Sequence, residues 1–197
     1  MIKMRLRKIY EFKPDPVEPT LRNLLHLTKK QRWSLLKWAL YGLMLLALSL
    51  VQDVVMSRFT ILGASTDLVS CGIFLICLLQ TPEAGGLFAL IGSLLFYFSG
   101  SAPGVYSVAL LTVLPVLLNI LRYSLLSKRF RSIFLCGGAG LMLYELMVFW
   151  MGLFFDNTIA ARAPVFITTG ILSVLVFPLL YPLAFLIGKI GGEAWKD

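Results

Sequence analysis

Residues Leu35 to Val55 read LLKWALYGLMLLALSLVQDVV, a stretch whose charged residues are only Lys37 and Asp53. An α-helix rises about 1.5 Å per residue, so about 20 apolar residues cross the roughly 30 Å of bilayer hydrocarbon. This stretch meets that requirement. Trp33, Lys37, Trp38 and Tyr41 at its start form the amphipathic belt that sits at a lipid–water boundary.

Five further apolar runs follow: Leu68–Leu79 between Asp67 and Gln80; Gly85–Phe98 after the break Thr81-Pro82-Glu83; Val105–Leu121 around Pro115; Ile133–Phe155; and Val165–Ile187 after the polar Asp156–Pro164. Composition agrees with this pattern. The 197 residues are 58% hydrophobic and 14% charged, with a mean hydropathy of +0.85, whereas soluble domains average about 45–50% apolar and about 25% charged. A soluble enzyme, a disulfide scaffold and a nucleic-acid-binding domain fit poorly. The fold class expected is an all-α integral membrane protein with six transmembrane helices.

Charge then orients it. Ten of the eighteen Lys and Arg lie in Met1–Lys37, four in Arg122–Arg131 and two at Lys189 and Lys196; only Arg58 and Arg162 fall in the alternate loops. Cytoplasmic loops carry the excess of basic residues, so both termini are expected on the cytoplasmic side. The run Leu68–Leu79 is short for a span. A paired re-entrant hairpin of the second and third runs would leave the same charge asymmetry, and six spans is the reading adopted.

The expected organisation is a basic arm over 1–34, a transmembrane domain over 35–190 and a tail over 191–197. Pro14, Pro16 and Pro19 among charges make the first nineteen residues an extended segment. From Thr20 to Trp33, Leu21, Leu24 and Leu25 share a helical face and basic residues lie off it. Arg22, Lys29, Lys30 and Arg32 therefore suit either an interfacial helix on anionic headgroups or a solvated juxtamembrane helix.

Charged residues within a span cost about 2.5–3.5 kcal/mol on insertion scales and mark candidate sites. Glu145 is the deepest, twelve residues into the fifth run. It is expected either to tie helices together, through neighbours such as Asn119, Thr112 or a tyrosine, or to meet a partner or solute. Asp53 and Asp67 flank Arg58, and Asp156 precedes Arg162, so local ion pairs are expected. Gly85, Gly86, Ala89, Gly92 and Ser93 crowd the third run, and Gly137–Gly140 opens the fifth; small residues let helices approach closely in lipid. Cys71, Cys77 and Cys136 lie in apolar runs with no pairing or metal spacing, and His26 is the sole histidine. With no phosphate-binding loop, no H-E-x-x-H and no C-x-x-C, neither catalysis nor a metal nor a cofactor is expected.

Several short motifs resemble the MreD family, the small polytopic subunit of the bacterial cell-elongation machinery. They are Thr66-Asp67-Leu68; Gly86-Leu-Phe-Ala-Leu-Ile-Gly92 followed by Pro103-Gly104-Val105-Tyr106; Tyr144-Glu145 with Val148-Phe149-Trp150; and Tyr181-Pro182 running to Lys189. The likeness spans Leu35 to Lys189. Phe96 stands where the family usually has an aspartate, four residues beyond Gly92, and the N-terminal arm is longer than usual.

The resemblance implies a non-enzymatic scaffold. It would bind the single-span protein MreC and help place the polymerase and transpeptidase of peptidoglycan synthesis relative to MreB filaments. The family is also similar in fold to the six-helix S components of energy-coupling-factor vitamin transporters, so a substrate-binding subunit is the rival function. The small-xxx-small docking motif of that class is missing: Ala39 is followed four residues later by Leu43, and Ala47 by Val51. Candidate partner-binding residues are Gly85, Gly92, Pro103, Gly104, Tyr106, Glu145 and Phe149.

Overall fold

The computed structural model describes residues 29–56, 58, 63–125 and 130–190. The described residues form six α-helices: α1 Lys29–Val51, α2 Leu68–Leu79, α3 Pro82–Phe98, α4 Tyr106–Leu125, α5 Phe130–Phe154 and α6 Ala163–Gly188. No strand occurs among the described residues. Four helical stretches, Gln31–Val55, Tyr106–Ser124, Phe130–Phe154 and Ala160–Gly188, are long and apolar enough to cross a membrane, while α2 and α3 are shorter apolar helices.

The exposed surface explains the composition. Leu43, Leu135 and Leu179, on three different helices, are 63%, 66% and 75% exposed, and large apolar side chains project from every helix except α2. A soluble protein rarely shows contiguous apolar patches beyond a few hundred Å², but such a coat is what lipid tails solvate. The chain is a multi-pass membrane protein.

At the centre stands the shortest helix. Every residue of α2 is buried, and it packs against each of the other five helices. The terminal N–H and C=O groups of a helix buried along its whole length need partners, and protein groups supply several of them. At the N-terminal end the Asp67 carboxylate accepts from Ser70 N at 3.0 Å, and Gln52 Oε1 accepts from Val69 N at 3.0 Å. Asp67 N donates to Ser173 Oγ on α6 at 3.0 Å. A single π-helical turn, Gln52–Met56, ends α1 and carries that Gln52. At the other end, Asn119 Nδ2 on α4 donates to the carbonyls of Cys77 at 2.7 Å and Gln80 at 3.1 Å.

These bonds also show the direction of the chain. The Asp67 end lies with Gln52 and with Ser101, whose hydroxyl donates to Asp53 at 2.7 Å. The Gln80 end lies with Lys37 (3.2 Å) and Tyr41 (2.9 Å), whose hydroxyl donates to Ala184 O at 3.2 Å. Helix α2 therefore runs antiparallel to α1.

Several expectations are corrected. Helix α1 is continuous from Lys29 through Trp33 into the first apolar run, and the rest of Thr20–Trp33 lies outside the described residues. Asp67 is a helix cap, not the ion-pair partner of Arg58. Arg122 does not begin a solvated basic loop: α4 continues to Leu125, and Arg122 is buried with Nη2 3.4 Å from Asn119 Oδ1. Asn119 and Thr112 do not meet Glu145, since Asn119 caps α2 and Thr112 pairs with Ser93 at 3.1 Å. Arg22 and the 191–197 tail lie outside the described residues, as does most of the 1–34 arm; Arg32 is exposed.

Candidate functional site

Because α2 is short, it stops well inside the bundle. Ser173, which holds its N-terminus, lies ten residues into α6, about 15 Å at 1.5 Å per residue. The space beyond that end is a cavity of about 200 Å³. Its polar lining comes from Gln52, Ser65, Asp67, Ser101, Tyr144, Glu145 and Thr169, and its apolar lining from Phe96, Pro103, Val148, Val165 and Phe166. Glu145 reaches this depth because it lies nine residues before the end of α5, again about 14 Å along the axis.

The groups facing the cavity are unequally satisfied. The Asp67 carboxylate is engaged by both the backbone N–H and the hydroxyl of Ser70. Glu145 is 6% exposed, and none of the described residues hydrogen-bonds its carboxyl. The Tyr144 hydroxyl is buried and also lacks a hydrogen-bond partner among the described residues. No Lys, Arg or His lines the space. Cys71, the thiol nearest by sequence, is turned away and donates to Ser173 O at 3.3 Å. The cavity therefore presents acceptor groups to a hydrogen-bond donor.

A second feature lies on the outside. Between α1 and α3 runs an apolar groove of about 450 Å³ walled by Trp38, Gly42, Leu45, Leu87, Ile91 and Leu95. A further apolar hollow of about 280 Å³ shares Leu45, Gly92 and Leu95 with it and extends the seam to Phe98 and Ser99. A Cβ added at Gly42 would meet nothing within 4 Å, so this glycine faces open space in the groove.

The seven expected partner-binding residues do not form one surface. Glu145 and Pro103 meet at the polar cavity. Gly92 lies on the α1–α3 seam, but its missing Cβ serves internal packing: an added one would stand 3.0 Å from Leu45 and 3.2 Å from Ile73. Gly85 faces the α2 backbone, where a Cβ would come 2.7 Å from Cys77 O. Gly104 packs under the Tyr106 ring, which stacks on Phe155 at 5.9 Å, while Phe149 tilts against Phe166 at 5.4 Å.

The chain matches no family model, no curated protein and no solved structure. Its site is thus defined by geometry. Sequence reading missed Gly42, Gln52, Ser65 and Thr169. The only signal for Gln52 was its place beside Asp53 at the end of the first run; Gly42 carried none, because an isolated glycine in an apolar helix does not reveal which way it faces.

Proposed function

We propose that this chain is a non-enzymatic scaffold subunit of the bacterial cell-elongation complex in the plasma membrane, similar to MreD, with six spans and both termini cytoplasmic. The observation that carries the reading is the α1–α3 seam. It is an apolar groove open along one side of the bundle, with Gly42 leaving room for close approach. In lipid no hydrophobic force drives helices together, so association depends on such close packing at small residues. One transmembrane helix of an MreC-like single-span protein fits that geometry. MreB, the polymerase and the transpeptidase would be reached through that partner, and Arg32 and its basic neighbours would face anionic headgroups.

The test is recovery of MreC with the full chain from detergent-solubilised membranes. At Gly42 even a Cβ meets nothing within 4 Å, so Gly42→Trp projects into the groove and fills it, and the reading expects MreC with the parent chain and its loss with this variant. Equal recovery with both, or no MreC with either, overturns the reading.

A second function has one observation in its favour. The polar cavity beyond α2, lined by Asp67, Glu145 and several hydroxyls, would serve a solute-binding subunit of an energy-coupling-factor transporter. Co-purification of an ATPase module in place of elongation proteins would select that reading.

A further inference from the structure

We propose that the cavity beyond the N-terminus of α2 is a binding site for a small organic cation carrying a primary ammonium group, held by Glu145 and Tyr144. The site does not depend on which protein the seam recruits.

Three observations carry it. The first is the pair of unsatisfied groups. Tyr144 is 1% and Glu145 6% exposed, both line the cavity, and among the described residues nothing hydrogen-bonds the hydroxyl of one or the carboxyl of the other. Buried polar side chains nearly always have a partner, and one left without costs about 1–3 kcal/mol. Two adjacent residues line the same space, and the unpartnered carboxyl of Glu145 there suits a guest with hydrogen bonds to give.

The second is charge. Asp67 and Glu145 both face the cavity, and no basic side chain lines it. Asp67 already serves Ser70, so the free acceptor capacity is that of Glu145, extended by the Tyr144, Ser65 and Thr169 hydroxyls. An ammonium carries three donors and no acceptor, which complements this set. An anion would face two carboxyls.

The third is the remaining lining. Phe96, Phe166 and Val148 give the cavity an apolar side, which suits a short carbon skeleton attached to the ammonium. A bare divalent ion is the poorer guest, because the described residues contain no group of three or more His, Cys, Asp or Glu able to hold a metal. The volume, about 200 Å³, suits a molecule of a few heavy atoms.

The experiment follows thermal unfolding of the full chain in detergent against ethylammonium and ethanolammonium. Sodium and potassium chloride control for ionic effects, and ethanol for a neutral guest. A ligand that binds only the folded state at about a hundred times its Kd raises Tm by about 5–10 °C in a chain of this size. Such a rise with an amine, absent with ethanol and the salts, is expected. Glu145→Gln keeps the shape and removes the ionisable carboxyl, and is expected to weaken the amine response at least about tenfold. Tyr144→Phe is expected to weaken it severalfold and supplies the comparison if the glutamine variant does not fold. No shift with either amine overturns the proposal and leaves the cavity to water. An equal shift with sodium or ethanol, or an undiminished amine response in Glu145→Gln or, where that fails to fold, in Tyr144→Phe, overturns it as well.

Discussion

The amide nitrogen of Asn119 lies 2.7 Å from the carbonyl oxygen of Cys77, forty-two residues earlier in the chain, and donates to it. With its second contact to Gln80 O, this one side chain closes the C-terminal end of the central helix. The bond shows how a twelve-residue helix survives in the middle of a membrane bundle: its ends are finished by its neighbours.

Replacing Asn119 tests that statement. Asn119→Leu leaves the Cys77 and Gln80 carbonyls without their side-chain donor, and a buried unsatisfied group costs about 1–3 kcal/mol. A loss of about 2–4 kcal/mol is expected for the pair, read from denaturant unfolding in mixed micelles. Asn119→Asp is expected to destabilise as well, because the donor itself is removed.

The other end of α2 should respond more mildly. Asp67→Ala removes the N-cap, a change worth about 0.5–2 kcal/mol. Ser173→Ala removes one acceptor for Asp67 N, worth about 1 kcal/mol. These two act on one network, so the double variant should fall short of the sum of the singles, measured as a double-mutant cycle.

Glycines of the bundle divide by what a methyl group would meet. At Gly140 an added Cβ would press into Leu118 and would stand 2.6 Å from Phe74. Gly140→Ala is therefore expected to cost about 1–3 kcal/mol through overpacking. Gly42→Ala, facing open space, should leave the melting temperature unchanged or slightly raised, since alanine is favoured over glycine inside a helix by about 1 kcal/mol.

Six-span topology can be read with thiol labelling, because Cys71, Cys77 and Cys136 are all buried and should stay silent in the folded chain. Asn157→Cys, Ser124→Cys and Glu83→Cys introduce exposed positions at the two ends of the bundle. An impermeant maleimide applied to spheroplasts should label Asn157→Cys directly, and the other two only after permeabilisation. Labelling of Glu83→Cys from outside would place the α2–α3 turn on the wrong side for six spans.

Sequence alone was enough to locate the helices and to make this a membrane protein. Leu68–Leu79 was bounded to the residue and the later runs to within about four residues, while the first helix reaches six residues further back, to Lys29. That legibility has a local cause: hydropathy sums over neighbours in the chain, and polar breaks such as Thr81-Pro82-Glu83 interrupt the sum. The tertiary structure decided which helix is the core, where Arg122 and Glu145 lie, and what each glycine faces. Those outcomes depend on pairs such as Asp67 with Ser173, 106 residues apart, and on the depth at which α2 ends. An apolar residue reads the same whether it meets lipid or another helix, so the twelve residues of lowest apparent rank as a span became the axis of the fold, and the short axis left an acidic chamber at its end.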